Sequence, residues 1–291
     1  METWMIWALI SVITWWIYHF TTKVIAERNY NTNVANCIWY ITGTLIMLGV
    51  VLLQWNYDFS KETFFFIMIV ALWNVALYST SIITRVEAMR SIDTVIFYPI
   101  YKTFWPIFVT AISFFFFWET LTIKEIIWII VWICVPLLLI TKKENSMQKN
   151  LFLWVILIFI TAVLSAISSS APKIIQVREL DINVFLLIVF FFWIFFSYFL
   201  YKWEKVFLHK KKRDYSKKGL MRFWIFSGVI HILWFYAFTR ALEWNLAVVF
   251  TINSFAILIP IILSIIFYWE HFNLKKGIVI ALSIISILLF I

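Results

Sequence analysis

Lys102 is the residue whose type and position point most directly to chemistry. It stands about nine residues inside an apolar run over 93–118, roughly 13 Å along a helix axis, whereas the other Lys and Arg fall in or beside polar segments. A lysine at the centre of a bilayer costs about 2.5–3.5 kcal/mol on insertion scales, so Lys102 is expected to face a polar cavity or a partner rather than lipid. Tyr98, Lys102 and Trp105 share one helical face at i, i+4 and i+7. An ammonium among aromatic rings can take the anionic or dipolar part of a small solute; the alternative is a structural cation that snorkels or pairs with a carboxylate. Asn253 stands seventeen residues before Glu270, as Lys102 stands seventeen before Glu119, so the two are expected to line one site as a pseudo-twofold pair. Asn74 with Tyr78, at i, i+4, and His231 with Trp234, at i, i+3, extend this to a polar, aromatic-lined pocket.

Other residues have plainer readings. Trp15, Trp16, Tyr18 and His19 close the first apolar run and fit an interfacial aromatic belt. Ser165, Ser168, Ser169 and Ser170, with Ala162, Ala166 and Ala171, make a small-faced helix suited to close packing. Glu119 and Glu270, each beside a Trp, read as turn and interface residues. Enzyme chemistry finds little support. The sequence has no P-loop, HExxH, GxSxG or TVGYG motif. Its four Asp fall in loops or helix ends, and its four His are scattered, so neither an aspartyl dyad nor a metal site is expected, and no cofactor is implied. Cys37 and Cys134 lie within apolar runs without a CxxC spacing and read as core residues.

These side chains must be positioned by membrane helices. Of 291 residues, 64% are hydrophobic and only 13% charged, with mean hydropathy +0.94. Soluble domains are roughly half apolar and a quarter charged, so a soluble enzyme, a disordered chain and a nucleic-acid-binding domain are all excluded. Apolar runs place about ten transmembrane helices near 3–21, 34–55, 63–83, 93–118, 123–141, 151–171, 182–202, 223–240, 244–269 and 274–291. The opening Met1-Glu2-Thr3 lacks the basic region of a signal peptide, so the first run is expected to remain as a helix. Thr122 and Glu125 form a capping box, and Asn273 is placed to cap the last helix. Pro99, Pro106, Pro136 and Pro260 interrupt apolar helices and are expected to kink them.

The polar segment 142–150 divides the chain into halves, 1–141 and 151–291. KVIAERNYNTNV at 23–34 aligns without gaps to KIIQVRELDINV at 173–184, with Lys23/Lys173, Ile25/Ile175, Arg28/Arg178, Asn33/Asn183 and Val34/Val184 identical. Trp118-Glu119 and Trp269-Glu270 repeat at nearly the same offset. Five helices per half reverse the second half's entry, which predicts an all-α membrane protein of two inverted five-helix repeats, the architecture of alternating-access carriers.

The chain resembles the EamA-type, ten-helix branch of the drug/metabolite transporter superfamily. The carrying residues are Lys23, the stretch 88–119 and the capped helix after it, then Lys173, the stretch 241–270 and Gly277. Pro106, thirteen residues before Glu119, fits the family pattern; Pro260, only ten before Glu270, departs from it, as does the scarcity of glycine. The resemblance implies a secondary carrier for small organic solutes such as amino acids, metabolites or drugs, with a central cavity between halves and both termini inside the cell.

The partners expected are a small-molecule solute and the bilayer of the plasma (inner) membrane, with a homodimer allowed and no nucleic acid. The rival readings are a lipid or lipid-linked-intermediate flippase on the same scaffold, and a non-transporting membrane scaffold or receptor. Charge opposes the family orientation. Alternate loops hold 18 Lys and Arg against 5, which places both termini outside and the segment 209–218 in the cytoplasm. The acids cluster at helix ends, leaving His231 as the candidate proton carrier and favouring facilitated diffusion or exchange over carboxylate-driven symport.

Overall fold

A computed structural model describes residues 2–27, 30–54, 60–91, 94–134, 151–207, 218–254, 277–278 and 281. Among the described residues the chain is helical, without strands. The helices are α1 (Thr3–Glu27), α2 (Thr32–Gln54), α3 (Lys61–Ser91), α4 (Thr94–Phe117), α5 (Ile123–Cys134), α6 (Leu151–Val177), α7 (Ile182–Phe207), α8 (Lys218–Ala241) and α9 (Leu246–Ser254). Seven of them, α1 to α4 and α6 to α8, are long and apolar enough to cross a bilayer. The linker 142–150, most of the tenth expected helix, Pro136, Pro260, Glu270 and Asn273 lie outside the described residues.

Helix starts follow local chemistry. Asn31 Oδ1 accepts from the backbone N–H of Asn33 and Val34 at 2.9 and 3.3 Å, capping α2. Asp181 Oδ1 does the same for Asn183 and Val184 at 2.8 and 2.9 Å, capping α7. Asn245 repeats the device at α9 through Ala247 and Val248. At α5 the expected capping box forms: the Thr122 N–H donates to Glu125 Oε2 at 2.7 Å and the Glu125 N–H to Thr122 Oγ1 at 3.3 Å. The stops recur as well. The Tyr30 N–H reaches the Ile25 carbonyl beyond α1, and the Leu180 N–H reaches the Ile175 carbonyl beyond α6, each at 3.0 Å. The latter turn needs a left-handed residue, which Glu179 supplies at φ 55°.

Of the helices that run farther than the apolar patterns predict, α1, α3 and α6 do so because their polar ends are absorbed rather than exposed. In α1 the hydroxyls of Thr21 and Thr22 donate to the carbonyls of Tyr18 and His19 at 2.7 and 2.8 Å, so the helix continues to Glu27. In α3, Arg85 lies inside the helix and is buried, so it is not the loop residue the sequence suggests. In α6 the helix passes through Pro172, whose missing N–H leaves the Ser168 carbonyl without its intrahelical donor. Asn74 Nδ2 of α3 donates to that carbonyl at 2.7 Å.

Packing pairs the halves in a regular way. α1 lies on α8 as α6 lies on α3, α2 lies on α7, and α2 meets α8 as α7 meets α3. Gly43 lets α2 approach α7: a Cβ there would stand 2.6 Å from Phe190 Cδ1. At one end of the bundle Asn183 Nδ2 donates to Gln54 Oε1 at 2.7 Å. The outer surface carries Leu53 at 88% exposure and Phe116 at 76%, together with exposed Leu45, Phe65 and Phe195, while Asn74, Arg85, Lys102, Ser165 and the indoles of Trp15, Trp39, Trp105 and Trp193 are buried. That inversion of an aqueous protein's arrangement suits a hydrocarbon surround.

Candidate functional site

The inward faces converge on two buried cations. Arg85, at 0% exposure, donates through Nη2 to Tyr101 Oη at 2.9 Å and to Ser165 Oγ at 3.3 Å. Tyr101 Oη and Ser81 Oγ also meet Ser165 Oγ, at 3.1 and 2.6 Å, so α3, α4 and α6 are joined by one hydroxyl network. Lys102, at 1% exposure, has no hydrogen-bond partner for Nζ among the described residues. Its ammonium lies 4.6 Å from the Trp105 ring centroid and 5.3 Å from that of Trp15, and the Arg85 guanidinium lies 5.5 Å from the same Trp15 ring. The two cationic centres are therefore no more than ~11 Å apart, where like unit charges repel by at least about 1.5 kcal/mol at an effective dielectric near 20. Ring faces offset part of that cost without supplying a negative charge.

Beside the cations stands an aromatic cluster drawn from both halves. Trp15 of α1 contacts Trp234 of α8 at 3.9 Å between centroids and Trp105 of α4 at 5.7 Å. Tyr18 stacks on His231 at 4.6 Å, and Tyr40 of α2 stacks on Trp193 of α7 at 4.5 Å. Tyr78 Oη lies 3.5 Å from His231 Nε2, a long contact. The indole N–H groups of Trp15, Trp39, Trp105, Trp193 and Trp234 are buried without an acceptor among the described residues. Among the described residues no three His, Cys, Asp or Glu gather where they could hold a metal.

The expected site residues are therefore placed as follows. Lys102, Trp105, Tyr78, His231 and Trp234 come together in this cluster. Asn253 sits at its edge, accepting from Ser11 Oγ at 2.9 Å and donating to the Val249 carbonyl at 3.1 Å, while Trp105 meets Phe250 on the same helix. Asn74 is buried against α6, its amide N–H on the Ser168 carbonyl and its Oδ1 without a partner. Tyr98 belongs to α4, but its side chain lies outside the described residues.

Trp15 and Tyr18 correct the aromatic-belt reading, since both are buried at the heart of the cluster. Arg85 and Tyr101 were missed by the sequence argument, and Ser165, read there as a packing residue, joins their network. A signal existed for Arg85: Asn74, Tyr78, Ser81 and Arg85 follow one another at spacings of 4, 3 and 4, a polar stripe along a single face of α3.

A second polar assembly closes one end of the bundle. Lys173 Nζ lies 2.8 Å from Glu119 Oε1 and donates to the carbonyls of Leu242 and Trp244 at 2.9 and 2.5 Å. Glu119 Oε2 accepts from the Leu246 N–H at 2.8 Å, at the start of α9, and from Ser113 Oγ at 2.5 Å. Trp244 stacks on Trp4 at 5.3 Å. Glu119 thus ties the end of α4 to α6 and α9.

No family model matches the chain, and no curated protein matches it. A solved structure described only as "Crystal structure of protein" superposes with TM-score 0.72 at 9% identity, covering 98% of this chain and 95% of its own. At that identity the likeness is one of fold.

Proposed function

We propose that this chain is a secondary carrier that moves a small organic solute across the plasma membrane by alternating access, as the resemblance to EamA-type drug/metabolite transporters implies. In this reading two inverted five-helix repeats, 1–141 and 151–291, are joined by 142–150, and the solute binds where they meet. The observation that carries it is the burial of Lys102 and Arg85 in an aromatic cluster supplied by helices of both halves. Two features support the repeat. The main helix pairings, α1 with α8, α2 with α7 and α2 with α8, map onto α6 with α3, α7 with α2 and α7 with α3 when α1, α2 and α3 are exchanged with α6, α7 and α8, and the caps at Asn31 and Asp181 recur 150 residues apart with the same bonds. The bias of basic residues between alternate loops keeps its sign after Arg85 is moved into the membrane. We therefore orient the Glu119–Lys173 end outward, with both termini outside.

The test is a thermal-shift screen of the purified protein against metabolites and lipids, followed by counterflow of each stabilising solute in proteoliposomes. The proposal expects a water-soluble solute that both stabilises the protein and exchanges, with exchange lost in Lys102→Met. Stabilisation by lipids alone would favour a flippase, and binding without exchange would favour a receptor; either outcome contradicts the carrier.

A further inference from the structure

The central cluster is one-sided in its charge, since it buries the cationic side chains of Lys102 and Arg85. Among the described residues, Lys102 Nζ is buried with neither a hydrogen-bond acceptor nor a carboxylate against it. Against it Trp15 and Trp105, and beyond Trp15 also Trp234, each bury an indole N–H that lacks an acceptor among the described residues. Indole and ammonium groups can only donate, whereas Tyr18 Oη, Tyr40 Oη and His231 Nδ1 of the same cluster, unpaired among the described residues, can accept, so what the protein leaves unmatched here is positive charge. Arg85 adds a second positive centre over the same two rings, Trp15 and Tyr101. A buried donor left unmade is costly, and a buried charge more so. What completes such a site is a negatively charged group that accepts hydrogen bonds.

We propose that the site takes a solute of net negative charge, an organic anion whose carboxylate or phosphate head group accepts from Lys102 Nζ. The inference rests on the carrier reading for how the solute reaches the cluster, and it names the class that reading leaves open. The head group sits over Trp15 against Lys102 and accepts in addition from the neighbouring indole N–H groups. Alternatives fit less well. A zwitterionic amino acid would bring a further ammonium beside Lys102 and the Arg85 guanidinium, and a neutral solute leaves the Lys102 charge uncompensated.

The experiment uses the full chain in lipid nanodiscs at fixed ionic strength. Binding is read from tryptophan fluorescence and thermal stabilisation with succinate, glycerol 3-phosphate, leucine and glycerol as probes. We expect saturable binding of succinate or glycerol 3-phosphate, the stronger of the two identifying the head group, with leucine and glycerol roughly tenfold or more weaker. Lys102→Met should weaken anion binding roughly tenfold or more. Lys102→Arg, which keeps the charge, should retain it, so the inference stays testable even where the Met variant fails to fold. Leucine or glycerol binding as tightly as the anions, binding of no probe, anion binding unchanged in Lys102→Met, or anion binding lost in a folded Lys102→Arg would each overturn the inference. Counterflow with the same probes separates the two claims. Leucine exchange without anion binding sinks the anion and spares the carrier; anion binding without exchange of any probe does the reverse.

Discussion

Replacing Glu119 by Gln should open the end of the bundle that it ties. The carboxylate holds Lys173 at 2.8 Å, the Leu246 N–H at 2.8 Å and Ser113 Oγ at 2.5 Å, and the ion pair's side chains are only 10% and 13% exposed. Charge-assisted hydrogen bonds contribute about 1.5–3 kcal/mol each when buried. Gln keeps an acceptor for Leu246, and Lys173 keeps the carbonyls of Leu242 and Trp244, so one charge-assisted interaction is lost outright and a second is weakened. The net effect is about 2 kcal/mol against the closed arrangement, equivalent to a roughly 30-fold rise in the open population where closure is two-state. A single cysteine at Val248, buried two residues beyond Leu246, reports it in a background with Cys37 and Cys134 replaced. Its maleimide labelling rate should rise roughly 30-fold with Glu119→Gln. Labelling that changes less than twofold would refute the assignment of Glu119 as a clamp.

Asn74→Leu should destabilise the protein by about 1–3 kcal/mol by leaving the Ser168 carbonyl without a donor, and Pro172→Ala should recover part of that loss because alanine supplies the backbone N–H that proline lacks; a thermal double-mutant cycle with additive effects would contradict this. Gly43→Ala should cost about 1–3 kcal/mol, since its Cβ would press on Phe190 at 2.6 Å, whereas Gly49→Ala, with nothing within 4 Å, should be neutral or stabilise by up to about 1 kcal/mol; thermal unfolding of both variants checks the contrast. His231→Gln should retain solute exchange measured at equal pH on both sides of the liposome, and exchange that needs an imposed pH gradient would restore His231 as a proton carrier.

Much of the helical frame was legible because membrane helices announce themselves by long apolar runs, and α2, α4 and α7 begin or end close to the predicted limits. The misjudged ends share one physical cause. Thr21, Thr22, Pro172 and Arg85 look like punctuation, yet each is satisfied inside the protein, by its own helix's carbonyls, by Asn74, or by Tyr101 and Ser165. Cutting α1 and α3 short hid part of the site, because Trp15 and Tyr18 then read as interfacial and Arg85 as a loop cation. Lys102 stood out since nothing near it in sequence could satisfy its charge. Trp15, which its ammonium faces, and Trp234, which packs on Trp15, come from helices far along the chain, and no local spacing links them to it.

Two-sided accessibility of the cluster tests alternating access most directly. Ser165→Cys preserves the size of a side chain that touches Arg85, Tyr101 and Ser81, and it can be probed in right-side-out and inside-out vesicles with a membrane-impermeant thiol reagent, in the same cysteine-free background. The carrier account predicts labelling from both sides, slowed from both by a bound solute. Labelling from one side only, or from neither, would contradict it.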